Sequence, residues 1–216
     1  MNLMFPRLYA IIEPTLLTIS ELALAEALAE SGVELIQYRN KTATSRHIYE
    51  TSLQLSKLLG SRGVRFIVND RPDIALLTGA GGVHVGQEDL SVEDARAVCG
   101  PDRWVGVSTH SLEQVASADG TSADYIAFGP IFPTSTKLNP DDVVGTELLR
   151  RARKLTAKPI VAIGGITLER AAEVYRAGAD SLAVIRDLIC AANPRERAHE
   201  FLAVAASAPA GHEASG

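Results

Sequence analysis

Eight short apolar runs, each followed by a segment that reads as a helix, recur at regular spacing along the chain. The runs cover residues 7–12, 33–38, 64–68, 82–85, 104–108, 125–128, 159–163 and 181–185. All are rich in Ile, Val and Leu, as parallel strands buried on both faces require. The intervening helices are expected at 20–31, 45–59, 72–77, after Ser91, after Ser111, at about 143–155 and at 168–177, with one or two more to about residue 206. Ser91 and Asp94 form a capping-box-like pair, and Gly60 and Gly178 stand where helices should stop. This alternation predicts an α/β protein, a single-domain (β/α)8 TIM barrel. A doubly wound open sheet could carry the same pattern. The even spacing, and the lack of a dinucleotide glycine fingerprint after the first strand, favour the closed barrel.

The 216 residues, 46% of them hydrophobic, suffice for one barrel, since such domains run to roughly 200–250 residues. Residues 1–206 are expected to form it, with an Ala/Gly/Pro/Ser-rich flexible tail at 207–216. A net charge of −5 argues against general affinity for nucleic acid or for an anionic membrane. No run approaches the length of a membrane span, and the first residues have no secretory pattern. Cys99 and Cys190 lie far apart, so neither a disulfide scaffold nor a cysteine metal site is indicated. A cytoplasmic protein with small-molecule partners is expected; a homo-oligomer is left open.

Parallel strands that alternate with helices point their carboxyl ends the same way, so motifs scattered along the chain converge on one face. Nearly every apolar run here ends in polar groups. Gln37, Arg39 and Lys41 are spaced two apart, which directs all three to one side at the end of the second strand. Two cations and an amide there suit a polyphosphate, or are ordinary charges on a solvated strand end. Asp70 and Asp89 each follow a strand end. They could hold Mg2+, which takes one or two carboxylates together with waters and substrate phosphates; helix capping is the competing use. Gly164-Gly165 before Thr167, with the turn after Ile185, stands where barrels build a phosphate site from the loops after strands seven and eight. Thr134, Ser135, Thr136 and Lys137 occupy the longest loop and suit a phosphate clamp or a solvated lid. Ser108 is a hydroxyl contact or a plain strand end. His84 reads as a hydrogen-bonded core histidine, and His110 is given no role.

Taken in order, Gln37-x-Arg39-x-Lys41, Asn69-Asp70, His84-Val85-Gly86-Gln87-x-Asp89, Gly129-Pro130-x-x-Pro133-Thr134-x-Thr136-Lys137 and Ile163-Gly164-Gly165-Ile166 resemble the thiamine-phosphate synthase family over nearly the whole chain. The resemblance implies a (β/α)8 transferase that joins hydroxymethylpyrimidine diphosphate to a thiazole phosphate, releasing pyrophosphate. By match, Gln37, Arg39, Lys41, Asn69, Ser108 and Lys137 would contact the pyrimidine diphosphate, with Tyr38 and Asn40 among the binding residues of the same segment. Asp70 and Asp89 would hold Mg2+. Thr134, Thr136, Gly165 and the turn at Ile185-Arg186 would take the thiazole phosphate, with Ser135 in the same loop. Arg39, Lys41 and Lys137 would neutralise the leaving group, so no protein nucleophile is needed.

The chain departs from many relatives at Gly81-Gly82, where Asp-Gly is common, and at Ile12-Glu13, where Thr-Asp is common. Both changes are expected to matter for local turns more than for chemistry. Arg186 stands where Ser is frequent, which would preserve a backbone contact to phosphate but not a hydroxyl contact. Two rivals remain. A thiazole tautomerase needs an acid–base residue, typically a His in the sixth-strand loop, and Gly129-Pro130-Ile131-Phe132 has none. A non-catalytic thiamine-phosphate-binding module could dispense with Asp70 and Asp89.

Overall fold

Alternation along each strand divides the apolar side chains between two cores, and a closed barrel separates them. The computed structural model describes residues 5–134 and 142–209. Strands β1 (Leu8–Ile12), β2 (Leu35–Tyr38), β3 (Arg65–Asn69), β4 (Gly82–Val85), β5 (Trp104–Thr109), β6 (Tyr125–Phe128), β7 (Ile160–Ile163) and β8 (Ser181–Val184) follow one another around the barrel. All are parallel, and β8 closes on β1 with Leu8 opposite Leu182 and Ala10 opposite Val184. The helices are α1 (Glu21–Glu30), α2 (Ser45–Gly60), α3 (Pro72–Thr78), α4 (Val92–Cys99), α5 (Leu112–Asp119), α6 (Gly145–Arg153), α7 (Leu168–Arg176), α8 (Arg186–Ile189) and α9 (Pro194–Ser207). Among the described residues, no helix is long and apolar enough to cross a membrane.

Odd and even positions on each strand serve different masters. Leu8, Ala10, Ile12, Ile36 and Tyr38 face outward into the layer shared with the helices. Tyr9, Ile11, Leu35, Ile67, Tyr125, Ala127, Val161 and Ala183 fill the barrel interior. Each buried aliphatic side chain contributes roughly 1.5–3 kcal/mol, so a one-residue slip of any strand would forfeit several at once. The amino-terminal end is plugged by Phe5 stacked on Trp104 at 5.1 Å, with the Arg65 guanidinium 3.9 Å from the Trp104 ring centre. Tyr125 lies across the interior where Gly106 leaves room for it; a Cβ on Gly106 would fall 2.0 Å from the Tyr125 ring.

Serine, threonine and asparagine caps start the helices. Ser20, Thr44, Ser91, Ser111 and Asn193 accept from the N–H three residues on, satisfying donors that the helix itself leaves unpaired. Two strands begin later than their apolar runs suggest. The N–H of Val33 donates to Leu28 at 3.1 Å and that of Val64 to Leu59 at 3.0 Å, so these residues close the preceding helix instead of joining the sheet. At the other end of the chain, Arg7 donates to the carbonyls of Ala205, Ala208 and Pro209, tying the last turn of α9 and the residues just past it to the barrel floor.

Candidate active site

The carboxyl ends of the strands open into a cavity of about 1400 Å³, and a narrower throat of about 80 Å³ continues from its floor into the barrel. Inward parity on β2 sends Gln37 into this throat, where its Nε2 donates to the Tyr9 hydroxyl at 2.7 Å. Arg39 continues the same face and lines both spaces. Its guanidinium pairs with the carboxylate of Glu13, which follows β1 and also accepts from the Thr15 hydroxyl at 3.1 Å. Ile12-Glu13 is expected to matter for local turns more than for chemistry; the structure adds that Glu13 is a buried wall residue holding a cation in place.

Lys41 Nζ lies 2.7 Å from Asp70 Oδ2. Asp70 is a non-glycine residue in the left-handed region, with φ of 61°, and its N–H donates to the His84 carbonyl at 2.7 Å. Such a backbone is costly and persists only where surroundings impose it. Asp70 caps no helix, because α3 begins with Arg71 at its cap position and without a side-chain cap. Asp89 accepts from the Gly86 N–H at 2.8 Å and leaves the capping of α4 to Ser91. Burial raises the Asp70 carboxyl above the usual range; Lys41 opposes the rise and the neighbouring Asp89 adds to it. Two carboxylates crowded into a half-buried wall therefore carry negative charge that a cation would relieve. Among the described residues, no group of three or more His, Cys, Asp or Glu forms a protein cage. That donor set fits Mg2+, which accepts two carboxylates and takes its other ligands from water and phosphate.

Deeper in, His84 is buried as the sequence suggests. Its Nδ1 lies 3.1 Å from the Tyr125 hydroxyl and its Nε2 2.9 Å from Ser108 Oγ. Burial pushes its imidazole down to about 4, so it is neutral at ordinary pH. Ser108 lines both the cavity and the throat, as does Asn69, while the Ser108 carbonyl accepts from Gln87 at 2.6 Å. His110 is fixed by its Nδ1, 2.6 Å from the Gly129 carbonyl.

The opposite wall is built from the ends of β6, β7 and β8. The loop after β6 is stitched to the loop after β7: Ile131 N–H donates to Ile163 at 2.8 Å and Phe132 N–H to Gly164 at 3.0 Å. Gly164 and Gly165 have φ of 97° and 61°, and a Cβ on them would fall 2.5 Å from Pro130 Cα and 2.4 Å from the Pro133 carbonyl. Only glycine satisfies both the backbone and the space. Arg170, on α7, lies over the Phe132 ring at 4.5 Å and donates to the Gly165 carbonyl at 3.1 Å. Asp187 accepts from Leu168 N–H at 3.0 Å, which joins the start of α7 to the turn at Ile185-Arg186. Arg186 is exposed at the rim, and Thr134 and Ile185 also face the cavity.

Of the residues singled out in the sequence, Arg39, Lys41, Asn69, Asp70, Asp89, Ser108, Thr134, Gly165, Ile185 and Arg186 come together here, with Gln37 below them in the throat. Tyr38 and Asn40 do not. Outward parity puts Tyr38 in the strand–helix layer, where Asn40 Nδ2 donates to its hydroxyl at 3.1 Å. Asn40 Oδ1 accepts from the N–H groups of Thr42 and Ala43, so it shapes the loop. Ser135, Thr136 and Lys137 lie outside the described residues. Sequence reading missed Glu13, Gln87, Arg170 and Asp187 as wall residues. Glu13 and Gln87 carried a signal, since both sit in polar clusters after apolar runs. Arg170 carried none, because a helix arginine is usually a solvated one.

A (β/α)8 barrel that gathers its ion pairs and glycine turns at the carboxyl ends of its strands belongs to the class of barrel enzymes. The chain belongs to the thiamine monophosphate synthase family, whose model matches residues 8–188; it is an enzyme, a transferase. It is 50% identical over 210 residues to a thiamine-phosphate synthase from Koribacter versatilis, covering 94% of this chain and 97% of that one. A thiamine-phosphate synthase from Shouchella clausii is 42% identical over 178 residues, covering 82% and 85%. The solved structure of thiamine phosphate pyrophosphorylase from Pyrococcus furiosus superimposes with a TM-score of 0.85 at 34% identity, covering 93% of this chain and 96% of that one.

Proposed function

We propose that this cavity condenses hydroxymethylpyrimidine diphosphate with a thiazole phosphate to give thiamine phosphate and pyrophosphate, or with its carboxylated form to give the same products and carbon dioxide. One observation carries the reading: a single cavity has two anion-handling walls, Arg39 and Lys41 beside Asp70 and Asp89 on one side and the Gly164-Gly165 turn with Thr134 and Arg186 on the other. A reaction between a diphosphate and a second phosphorylated substrate needs that arrangement.

In this reading the pyrimidine ring enters the throat beside Gln37, Asn69 and Ser108, and its diphosphate lies along Arg39 and Lys41. The C–O bond to the diphosphate breaks first, and the electron pair leaves with pyrophosphate. The thiazole nitrogen then donates its lone pair to the exposed methylene carbon and forms the C–N bond. Mg2+, held by Asp70 and Asp89, would supply part of the charge neutralisation that the leaving group requires. Arg39 and Lys41 supply the rest from this wall, with Lys137 assigned the same work from the sequence. Gly165 and the Ile185-Arg186 turn hold the thiazole phosphate in line, which turns a two-substrate encounter into a positioned one. The test mixes both substrates with and without Mg2+ and looks for thiamine phosphate. A tautomerase would instead convert the thiazole phosphate alone, and a binding module would convert nothing.

A further inference from the structure

Five side chains from five strands make an unbroken line of hydrogen bonds across the barrel beneath the cavity. Gln37 Nε2 donates to Tyr9 Oη at 2.7 Å, Tyr9 Oη lies 3.0 Å from Tyr125 Oη, and Tyr125 Oη lies 3.1 Å from His84 Nδ1. His84 Nε2 lies 2.9 Å from Ser108 Oγ, and Ser108 faces the throat. The line has a direction. Tyr9 is 1% exposed and accepts a hydrogen bond from Gln37, so its own hydroxyl hydrogen is assigned to Tyr125, its other partner among the described residues. Tyr125, fully buried, must then pass its hydrogen to His84 Nδ1, which has to present a lone pair. The imidazole proton is thereby left on Nε2, pointing at Ser108 Oγ. With that oxygen accepting, the Ser108 hydrogen is the one free to enter the throat. Reversing any single link would strand a hydroxyl hydrogen in the barrel, at a cost typical of a buried unsatisfied donor.

We propose that Gln37, Tyr9, Tyr125, His84 and Ser108 form one directed hydrogen-bond chain that makes the Ser108 hydroxyl a donor to the throat. Tyr9, Tyr125 and His84 are then positioning residues that select a ring presenting an unprotonated nitrogen there. The ring's identity rests on the function proposed above; the polarity of the chain does not. An aminopyrimidine offers a lone pair on the ring nitrogen beside its amino group. The oxo analogue carries a hydrogen on that nitrogen, and would set donor against donor at Ser108.

The chain is read directly from imidazole nitrogen-15 chemical shifts in histidine-labelled, ligand-free protein, with the His84 signals assigned by loss in His84→Asn. The expected spectrum has His84 neutral, protonated on Nε2 and bare at Nδ1. A ring protonated on Nδ1, or on both nitrogens, overturns the proposal. Tyr125→Phe removes the link that holds the tautomer. It should give a mixed His84 tautomer and lower the preference in kcat/KM for the aminopyrimidine diphosphate over its oxo analogue by about tenfold, the worth of one oriented hydrogen bond. An unchanged tautomer with unchanged preference overturns the proposal as well. If that variant does not fold, Tyr9→Phe breaks the line one step earlier, and the wild-type spectrum decides the polarity without any variant. Should neither ring condense with the thiazole phosphate, the proposed function fails while the His84 spectrum still judges the chain.

Discussion

Glu13 and Arg39 form an ion pair at the cavity wall, and the carboxylate half of it is only 5% exposed. Two further contacts hold this pair in place: Thr15 donates to the same carboxylate, and the backbone N–H of Arg39 donates to the Ile12 carbonyl at 3.0 Å. Glu13→Gln keeps the shape and removes the charge. The variant is expected to lose about 1–3 kcal/mol in urea denaturation, the range for a charged hydrogen-bond partner taken from a largely buried site. Wild-type stability would mean that Arg39 is held by packing alone.

Asp89→Asn separates metal chemistry from folding. The amide oxygen can still accept from Gly86, while the charge that burdens Asp70 is gone. Metal-free protein should be as stable as wild type or slightly more so, and turnover should fall by orders of magnitude, since the cation offsets charge worth several kcal/mol. Excess EDTA should abolish wild-type turnover. Full activity in EDTA would rule out the assignment of Asp70 and Asp89.

His84 makes the fold sensitive to acid. Its imidazole is pushed down to about 4 in the folded chain, against about 6.5 when unfolded. Between those values the unfolded chain binds the extra proton, so stability is complete above pH of about 6.5 and is lost as pH falls toward 4. Urea midpoints of the wild type and His84→Gln, taken at pH 7 and pH 5, check this. The difference between the two pH values should shrink in the variant.

Gly165→Ala should cost activity and stability together. Its φ of 61° disfavours a side chain, and the new Cβ would meet the Pro133 carbonyl at 2.4 Å. Strain of about 1–3 kcal/mol is expected from the backbone alone, and the collision adds to it. Thermal melting and the affinity for thiazole phosphate should both move; a variant that melts normally and binds normally would show that the turn is not a fixed platform.

Arg186 faces the cavity from an exposed position with no ion-pair partner among the described residues. Arg186→Ala is expected to weaken thiazole phosphate binding roughly tenfold, as one charge-assisted contact would. An unchanged dissociation constant would assign that contact to the backbone at Ile185 instead.

The strands were readable because a parallel barrel buries both of their faces and leaves continuous apolar runs, and the face shared by Gln37 and Arg39 followed from parity. Parity also explains the misplacement of Tyr38 and Asn40: neighbours in the sequence point to opposite sides of the sheet. Val33 and Val64 look like strand residues, but their N–H groups are consumed by the helix before them, a choice that only the three-dimensional turn reveals. Asp70 and Asp89 could be recognised as candidates, whereas Glu13 could not be paired with Arg39, because 26 residues separate them and any carboxylate at a strand end reads alike. The tyrosines of the barrel interior read as apolar core, and their hydroxyls acquired meaning only from each other.

Arg39 is matched by Glu13, Lys41 by Asp70, and Arg197 by Asp187 at 3.9 Å. At these three positions an incoming anion meets cations that already have counter-charges, and binding there exchanges one ionic partner for another; Arg186 at the rim stands apart from them. Pairs of this kind exert little pull at a distance: they gather few passing ions, and added salt has little of their field to screen. Discrimination falls to groups that must be touched, at contact range, after the ligand has arrived.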